Sequence, residues 1–403
     1  MSATNIFEQL EQLWSPDDPA GGLDLLAEFL RNEKRYQELF QVLKMQARNQ
    51  MGLPVLADQP WHKENNEELA DQQQRQLDDQ LLDACRKIGT LLVEDGQIAE
   101  GWVYLEPLGD DQYVEQLIEA VPVDEENIDL LIDIALGRGA AIGFGYKLLI
   151  RQRGTCNAIT TFDSYAAQLP YTDQQNLAAI LLEHIYSELR QNILNHLQQP
   201  TDTGAAAPEN ISIRSLIADH PEIFSDGGHH LDATHIASIV RISRILEDPV
   251  SLNEALEICE YGKRLSDDLQ FPDSPPFENT YVDHEILFRA LLGSDVAMAV
   301  KHFSAKAKTE LANLSKTKLP GFPATENFVM LLHRVGEGKK AIEFAINELT
   351  KVSGEPNPRL IELASSNEDL KMLAEHYKDH NDVLRFAMCL WGQTNTDSAT
   401  ATD

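Results

Sequence analysis

The chain has 403 residues, 43% of them hydrophobic, with 65 acidic against 33 basic side chains and a net charge of -32. That length and apolar content exclude a disordered polypeptide and supply material for two or three compact domains or one extended repeat array. So acidic a chain offers few clustered Lys and Arg for binding a phosphate backbone or an anionic bilayer, so neither nucleic acid nor membrane is expected among its partners.

The opening stretch MSATNIFEQLEQLW has neither a basic leader nor an apolar core of signal-peptide length. No apolar run approaches the ~20 residues of a membrane span, so a cytoplasmic protein is expected. Cys85, Cys156, Cys259 and Cys389 form no C-x-x-C pair and fall mostly within apolar helical patterns. Reduced, buried thiols are the expectation.

Residues 5-14 predict a short amphipathic helix that stops before Ser15-Pro16, and PDDPAGG reads as a turn-rich connector. A helix pair follows, with Leu25, Leu26, Phe29 and Leu30 on one face and Tyr36, Leu39, Phe40 and Leu43 on the other, separated by the polar corner RNEKR. Leu53-Pro54 closes this N-terminal pair, which spans 1-56. Residues 57-76, rich in Gln, Glu, Asp and Asn, read as a solvated connection in which Trp61 is a local anchor. A helical domain is expected over 77-198.

Within it, residues 84-107 place Ile88, Leu91, Leu92, Ile98, Trp102 and Leu105 at helical spacing, broken by Asp95-Gly96-Gln97. This reads as helix, turn, helix. Gly89 and Gly101 fall on the inner faces, where a missing side chain lets two helices approach closely despite the roughly 1 kcal/mol cost of a helical glycine. Ile88-Gly89, Leu92, Gly96, Gly101 and Leu105 stand at the spacing of the tetratricopeptide repeat, and the stretch resembles a degenerate member of that family. Leu92 occupies a position where the family carries an aromatic residue, Gly101 replaces its Ala, and the closing Pro is absent. The resemblance implies antiparallel helix pairs stacked as an irregular α-solenoid whose groove holds a peptide or protein partner.

Tyr113, Leu117 and Ile118 predict the next helix, and Asp124 is the expected N-cap of the one after it. Gly137, Gly139, Gly143 and Gly145 invite a dinucleotide-binding reading, but that motif needs a strand-turn-helix setting and the surrounding residues are helical. Close helix packing is expected instead. Cys156, in RQRGTCNA, would need a neighbouring base to act as a nucleophile; the sequence places none there, so a corner or packing role is expected. Residues 173-197 form a long amphipathic helix, and the small polar residues of 199-210 read as the linker between two helical halves.

Helix pairs resume over 211-391. Residues 232-246 carry Ile236, Ile239, Val240 and Leu246 as an inner face, with Asp232 or Thr234 able to cap it. Ala255, Ala299 and Phe303, Ala341 and Ala345, and Tyr377 and Ala387 repeat the small and large positions of the resemblance, with a turn at Gly336. Residues 392-403 are expected to be disordered.

The sharpest chemical candidate is SDGGHHLDATH, where His229, His230, Asp232 and His235 offer imidazole and carboxylate groups within seven residues. His220, His284 and Glu285 could join from nearby elements. Three such ligands and a water would make a hydrolytic zinc centre, yet the spacing matches no strong zinc motif. The expected fold is therefore all-α, and the expected function is noncatalytic: a TPR-like interaction or scaffold protein with no cofactor. A metal-dependent hydrolase using residues 229-235 is the alternative.

Overall fold

A computed structural model describes residues 3-13, 15, 18-56, 71-109, 111-197, 211-313, 322-349 and 358-396. Every regular element among the described residues is a helix, and none of those helices is long and apolar enough to cross a membrane. Trp61 and the 199-210 linker lie outside the described residues.

By their contacts the residues divide into two units, Met1-Gly154 and Thr155-Asp403. The first contains α1 (Ala3–Leu13), α2 (Ala20–Asn32), α3 (Tyr36–Gln50), α4 (Asp71–Glu94), α5 (Ile98–Leu105), α6 (Asp111–Glu119) and α7 (Ile128–Ile132). It also holds the first part of α8 (Ile142–Tyr165), which is broken at Gly154. The polar connection expected over 57-76 gives way to helix at Asp71. Residues 71-76 are exposed, so those opening turns need no apolar face, and Gln and Arg are good helix formers. Asp124 does not cap α7 itself: its carboxylate accepts from the backbone N–H of Glu126 and Asn127, closing the turn that precedes the helix.

Leu23 and Leu30 of α2, Tyr36, Leu39 and Val42 of α3, and Ile88 and Leu92 of α4 bury one another in the core of this unit. A Cβ on Gly89 would stand 2.6 Å from Leu105 Cγ, and one on Gly101 would stand 2.9 Å from the Gly89 carbonyl oxygen. The two glycines thus let the backbones of α4 and α5 touch. Downstream, a Cβ on Gly145 would come within 2.5 Å of the Leu136 nitrogen, so packing is what that position serves.

The second unit contains the rest of α8, then α9 (Tyr171–Leu197), α10 (Ile213–Asp219), α11 (Ala233–Ile242), α12 (Pro249–Gly262), α13 (Thr280–Leu291) and α14 (Val296–Ala312). It continues through α15 (Pro323–Arg334), α16 (Gly338–Phe344), α17 (Asn367–Asp379) and α18 (Val383–Thr396). Because α18 runs to Thr396, the tail expected to be disordered from 392 is helical over its first residues. The contacts do not divide at 199-210 either. α9 packs against α11 and α12, with Leu177, Leu181, Ile185 and Leu189 fully buried and the Tyr186 hydroxyl 2.7 Å from the buried Glu257 carboxylate.

One corner recurs. α2 to α3, α4 to α5, α15 to α16 and α17 to α18 each turn through a single left-handed residue: Lys34, Gly96, Gly336 and Asn381, with φ of 56, 80, 83 and 57°. In each, the next residue's N–H (Arg35, Gln97, Glu337, Asp382) reaches back to the carbonyl of Leu30, Leu92, Leu332 or Tyr377, at 2.9, 2.8, 2.8 and 2.9 Å. This six-to-one bond satisfies a carbonyl that the ending helix leaves unpaired. The next helix starts one residue later.

Candidate functional site

In the first unit, α2, α3, α4 and α6 enclose a groove of about 570 Å³. Leu39, Leu43 and Leu91 give it an apolar floor, while Arg31, Arg86 and Lys87 face Glu28 and Glu94 around it. The Arg86 guanidinium lies over the Tyr113 ring, 4.9 Å from its centroid, and the Tyr113 hydroxyl meets Thr90 Oγ1. Among the described residues neither Arg31 nor Lys87 takes part in an ion pair, unlike Lys34, which binds Asp95 at 2.6 Å. Asp95 also accepts from the Tyr36 hydroxyl at 2.6 Å. These two bonds, Lys34 first, hold its carboxyl below the usual range, and burial with the Asp95 bond lifts Tyr36 to about 12. They tie the corner between α4 and α5 to the corner between α2 and α3.

A second cleft, of about 1170 Å³, lies within the second unit between α9, α12, α13 and α15. Its charge has the opposite sign, with Glu247, Glu326 and Glu362 around it. The Arg334 guanidinium there donates to the carbonyls of Arg244 and Leu246, and Gln175 donates to that of Ile245 at 2.9 Å. Arg334 closes the end of the α11 segment and is not free for a ligand.

The four residues expected as metal candidates are not brought together. His229 is exposed, its Nδ1 3.5 Å from the Gly227 carbonyl. His230 turns inward: the Tyr261 hydroxyl, which accepts the His230 backbone N–H, is 2.8 Å from Nδ1, and Nε2 is 2.7 Å from His196 Nδ1. The tautomer that satisfies all three contacts receives the Tyr261 proton at Nδ1 and donates from Nε2. Burial, then His196 and His229, pushes His230 down to about 4. Asp232 caps α11 through Thr234, whose N–H and hydroxyl lie at 2.8 and 2.6 Å, and these bonds lower its pKa.

His235 instead meets Cys156. Nε2 stands 2.9 Å from Sγ. The remaining candidates also diverge: His220 contacts Glu222, His284 is buried against the Thr280 carbonyl, and Glu285 pairs with Lys263 and Arg289. Among the described residues no group of three or more His, Cys, Asp or Glu side chains is arranged to hold a metal ion. The expectation of four buried thiols is also corrected: Cys259 and Cys389 are buried, Cys85 is half-buried and Cys156 is exposed.

Sequence reading singled out both stretches that form the Cys156–His235 contact, but nothing at a separation of 79 positions marks them as partners. It did not single out Arg31, Arg86 or Lys87, because their common groove exists only once separate helices pack. No protein-family model, no curated protein and no solved structure matches this chain.

Proposed function

We propose that the chain is a noncatalytic interaction protein whose first unit binds an acidic, apolar segment of a partner protein. The observation that carries this is the groove in the first unit. It sets an apolar floor beneath three cationic side chains in a chain of net charge -32. Two of those cations, Arg31 and Lys87, are exposed and take part in no internal ion pair among the described residues. Glu28 and Glu94 also line the groove, but the cations outnumber them, so it attracts carboxylates, while leucines of the incoming segment cover the exposed parts of Leu43 and Leu91.

The recurring corners favour the same reading at the level of architecture. Short hairpins closed by the same left-handed turn are the units from which a TPR-like α-solenoid would be stacked, and such arrays present extended grooves. The small positions Gly89 and Gly101, where the resemblance lies, sit at the crossing of α4 and α5.

The test is fluorescence anisotropy with a labelled peptide of alternating leucine and glutamate, against the same peptide with lysine for glutamate. The acidic peptide is expected to bind and the basic one not. Reversing the two exposed cations, R31E with K87E, is expected to weaken binding by about tenfold or more, roughly 1.4 kcal/mol, while circular dichroism at the assay temperature shows the same helical content. Equal binding of both peptides, or no effect of the reversal, would remove the basis for the proposal.

A further inference from the structure

Gly154 interrupts α8 at φ 78° and ψ 174°, and the helical segment that restarts at Thr155 carries Cys156 in its first turn, exposed to solvent. His235 stands half-buried in the first turn of α11, with Nε2 2.9 Å from Cys156 Sγ. Contacts on either side hold the pair. Thr155 Oγ1 lies 3.0 Å from His184 Nε2 on α9, and Arg241, six residues beyond His235, grips both carboxylate oxygens of Asp163 at 2.9 Å each. A bidentate guanidinium–carboxylate contact fixes geometry as well as charge. It keeps the two helical segments side by side with Cys156 and His235 in register.

The other thiols are differently placed. Cys259 and Cys389 are fully buried, and burial pushes the thiols of Cys85, Cys259 and Cys389 up, away from the reactive thiolate. Cys156 combines access with an imidazole in hydrogen-bond reach, the arrangement by which a thiol gives up its proton and becomes a nucleophile.

We propose that Cys156 and His235 form a nucleophilic thiol–imidazole pair that reacts with hydroperoxides, making Cys156 a site of reversible oxidation. With its own proton on Nδ1, His235 takes the thiol proton at Nε2. The sulfur then bonds to the terminal oxygen of the hydroperoxide as the O–O bond breaks, and the departing oxygen collects the proton from Nε2. Thiol and hydroperoxide become sulfenic acid and alcohol, or water when the oxidant is hydrogen peroxide. Sulfur loses the two electrons that the peroxide gains; one external thiol then condenses with the sulfenic acid to a mixed disulfide, releasing water, and a second frees the cysteine as the two external sulfurs join in a disulfide. A hydroperoxide suits the site on two counts. It is small enough to reach an exposed sulfur without a binding cavity, and its cleavage needs an acid at the leaving oxygen, which the protonated imidazole supplies.

The experiment exposes the full chain to hydrogen peroxide at pH 7, traps sulfenic acid with a cyclic 1,3-dione and locates it by peptide mass spectrometry. Trapping is expected at Cys156, at a rate at least about tenfold above that of a synthetic peptide spanning residues 150-160, which has the thiol without the imidazole. His235→Ala and His235→Gln are both expected to lower the rate to that of the peptide, while Arg241→Lys, which loosens the positioning contact, lowers it less. A wild-type rate within about twofold of the peptide's, or trapping at Cys85 in preference to Cys156, would overturn the proposal. The peptide comparison decides even if the His235 variants fail to fold, and none of these readouts depends on the groove of the first unit.

Discussion

At Gly101 there is no room for a methyl group. Its Cβ would stand 2.7 Å from Val93 Cγ2 and 2.9 Å from the Gly89 carbonyl, and backbone cannot swing aside as a side chain can. Gly101→Ala is therefore expected to lower stability by about 1–3 kcal/mol through overpacking, even though alanine favours helix by roughly 1 kcal/mol. Urea unfolding of the full chain measures it, and a stabilised variant would mean that α4 and α5 can part without cost. This pair was legible because a glycine inside a helical pattern needs a reason. His284 was not. It is fully buried, stacked on Phe277 at 4.2 Å, with Nδ1 donating to the Thr280 carbonyl. Burial, then the neighbouring Arg244 charge, pushes it to about 3. The unfolded chain, with histidine near 6.5, therefore binds more protons between pH 3 and 6.5, so stability is full above that window and lost as pH falls through it. Between pH 7 and pH 5 the expected loss from His284 is about 2 kcal/mol. His284→Phe keeps the stack and removes the titration, so the pH 5 to pH 7 difference in unfolding free energy should shrink by that amount. An unchanged difference would place the protonation elsewhere.

The elements were legible where their ends carry a chemical mark. Gly96 and Gly336 announce two of the four identical corners, since only glycine takes a positive φ without strain. Lys34 and Asn381 take the same conformation without that mark, and only the polar run RNEKR hinted at the first. The four corners offer a graded test. Gly336→Ala, at φ 83°, is expected to cost about 1–2 kcal/mol, the price of a Cβ in the left-handed region. Asn381→Gly is expected to change stability by less than about 1 kcal/mol, because asparagine tolerates that region. Calorimetric midpoints of the two variants decide it, and similar losses at both would mean that the corners are held by contacts beyond their backbone geometry. The His229 to His235 run shows the opposite failure. Four ligand-type residues stood close in sequence, but a loop followed by a capped helix sends His230 towards Tyr261, Asp232 towards Thr234 and His235 towards Cys156. Proximity along the chain said nothing about convergence.

Across the whole molecule, composition was a poor guide to where the units divide. The small polar residues of 199-210 look like a boundary, yet α9, just before them, buries its apolar seam against α11 and α12, and the division falls at Gly154. Composition is a better guide to charge. With 65 acidic and 33 basic side chains, repulsion among the acids opposes the folded state. Salt should relieve it. Raising ionic strength from about 0.01 M to about 0.15 M shortens the screening length from roughly 30 Å to roughly 8 Å, so the thermal midpoint is expected to rise. The same salt screens the exposed Arg31 and Lys87, so affinity for the acidic peptide is expected to fall. One salt titration followed by calorimetry and by anisotropy therefore has two slopes of opposite sign. If binding strengthens along with the fold, the apolar floor of Leu39, Leu43 and Leu91 dominates recognition and the cations are incidental. If the midpoint falls with salt, the internal ion pairs outweigh the repulsion, and the excess of acid is not what limits stability.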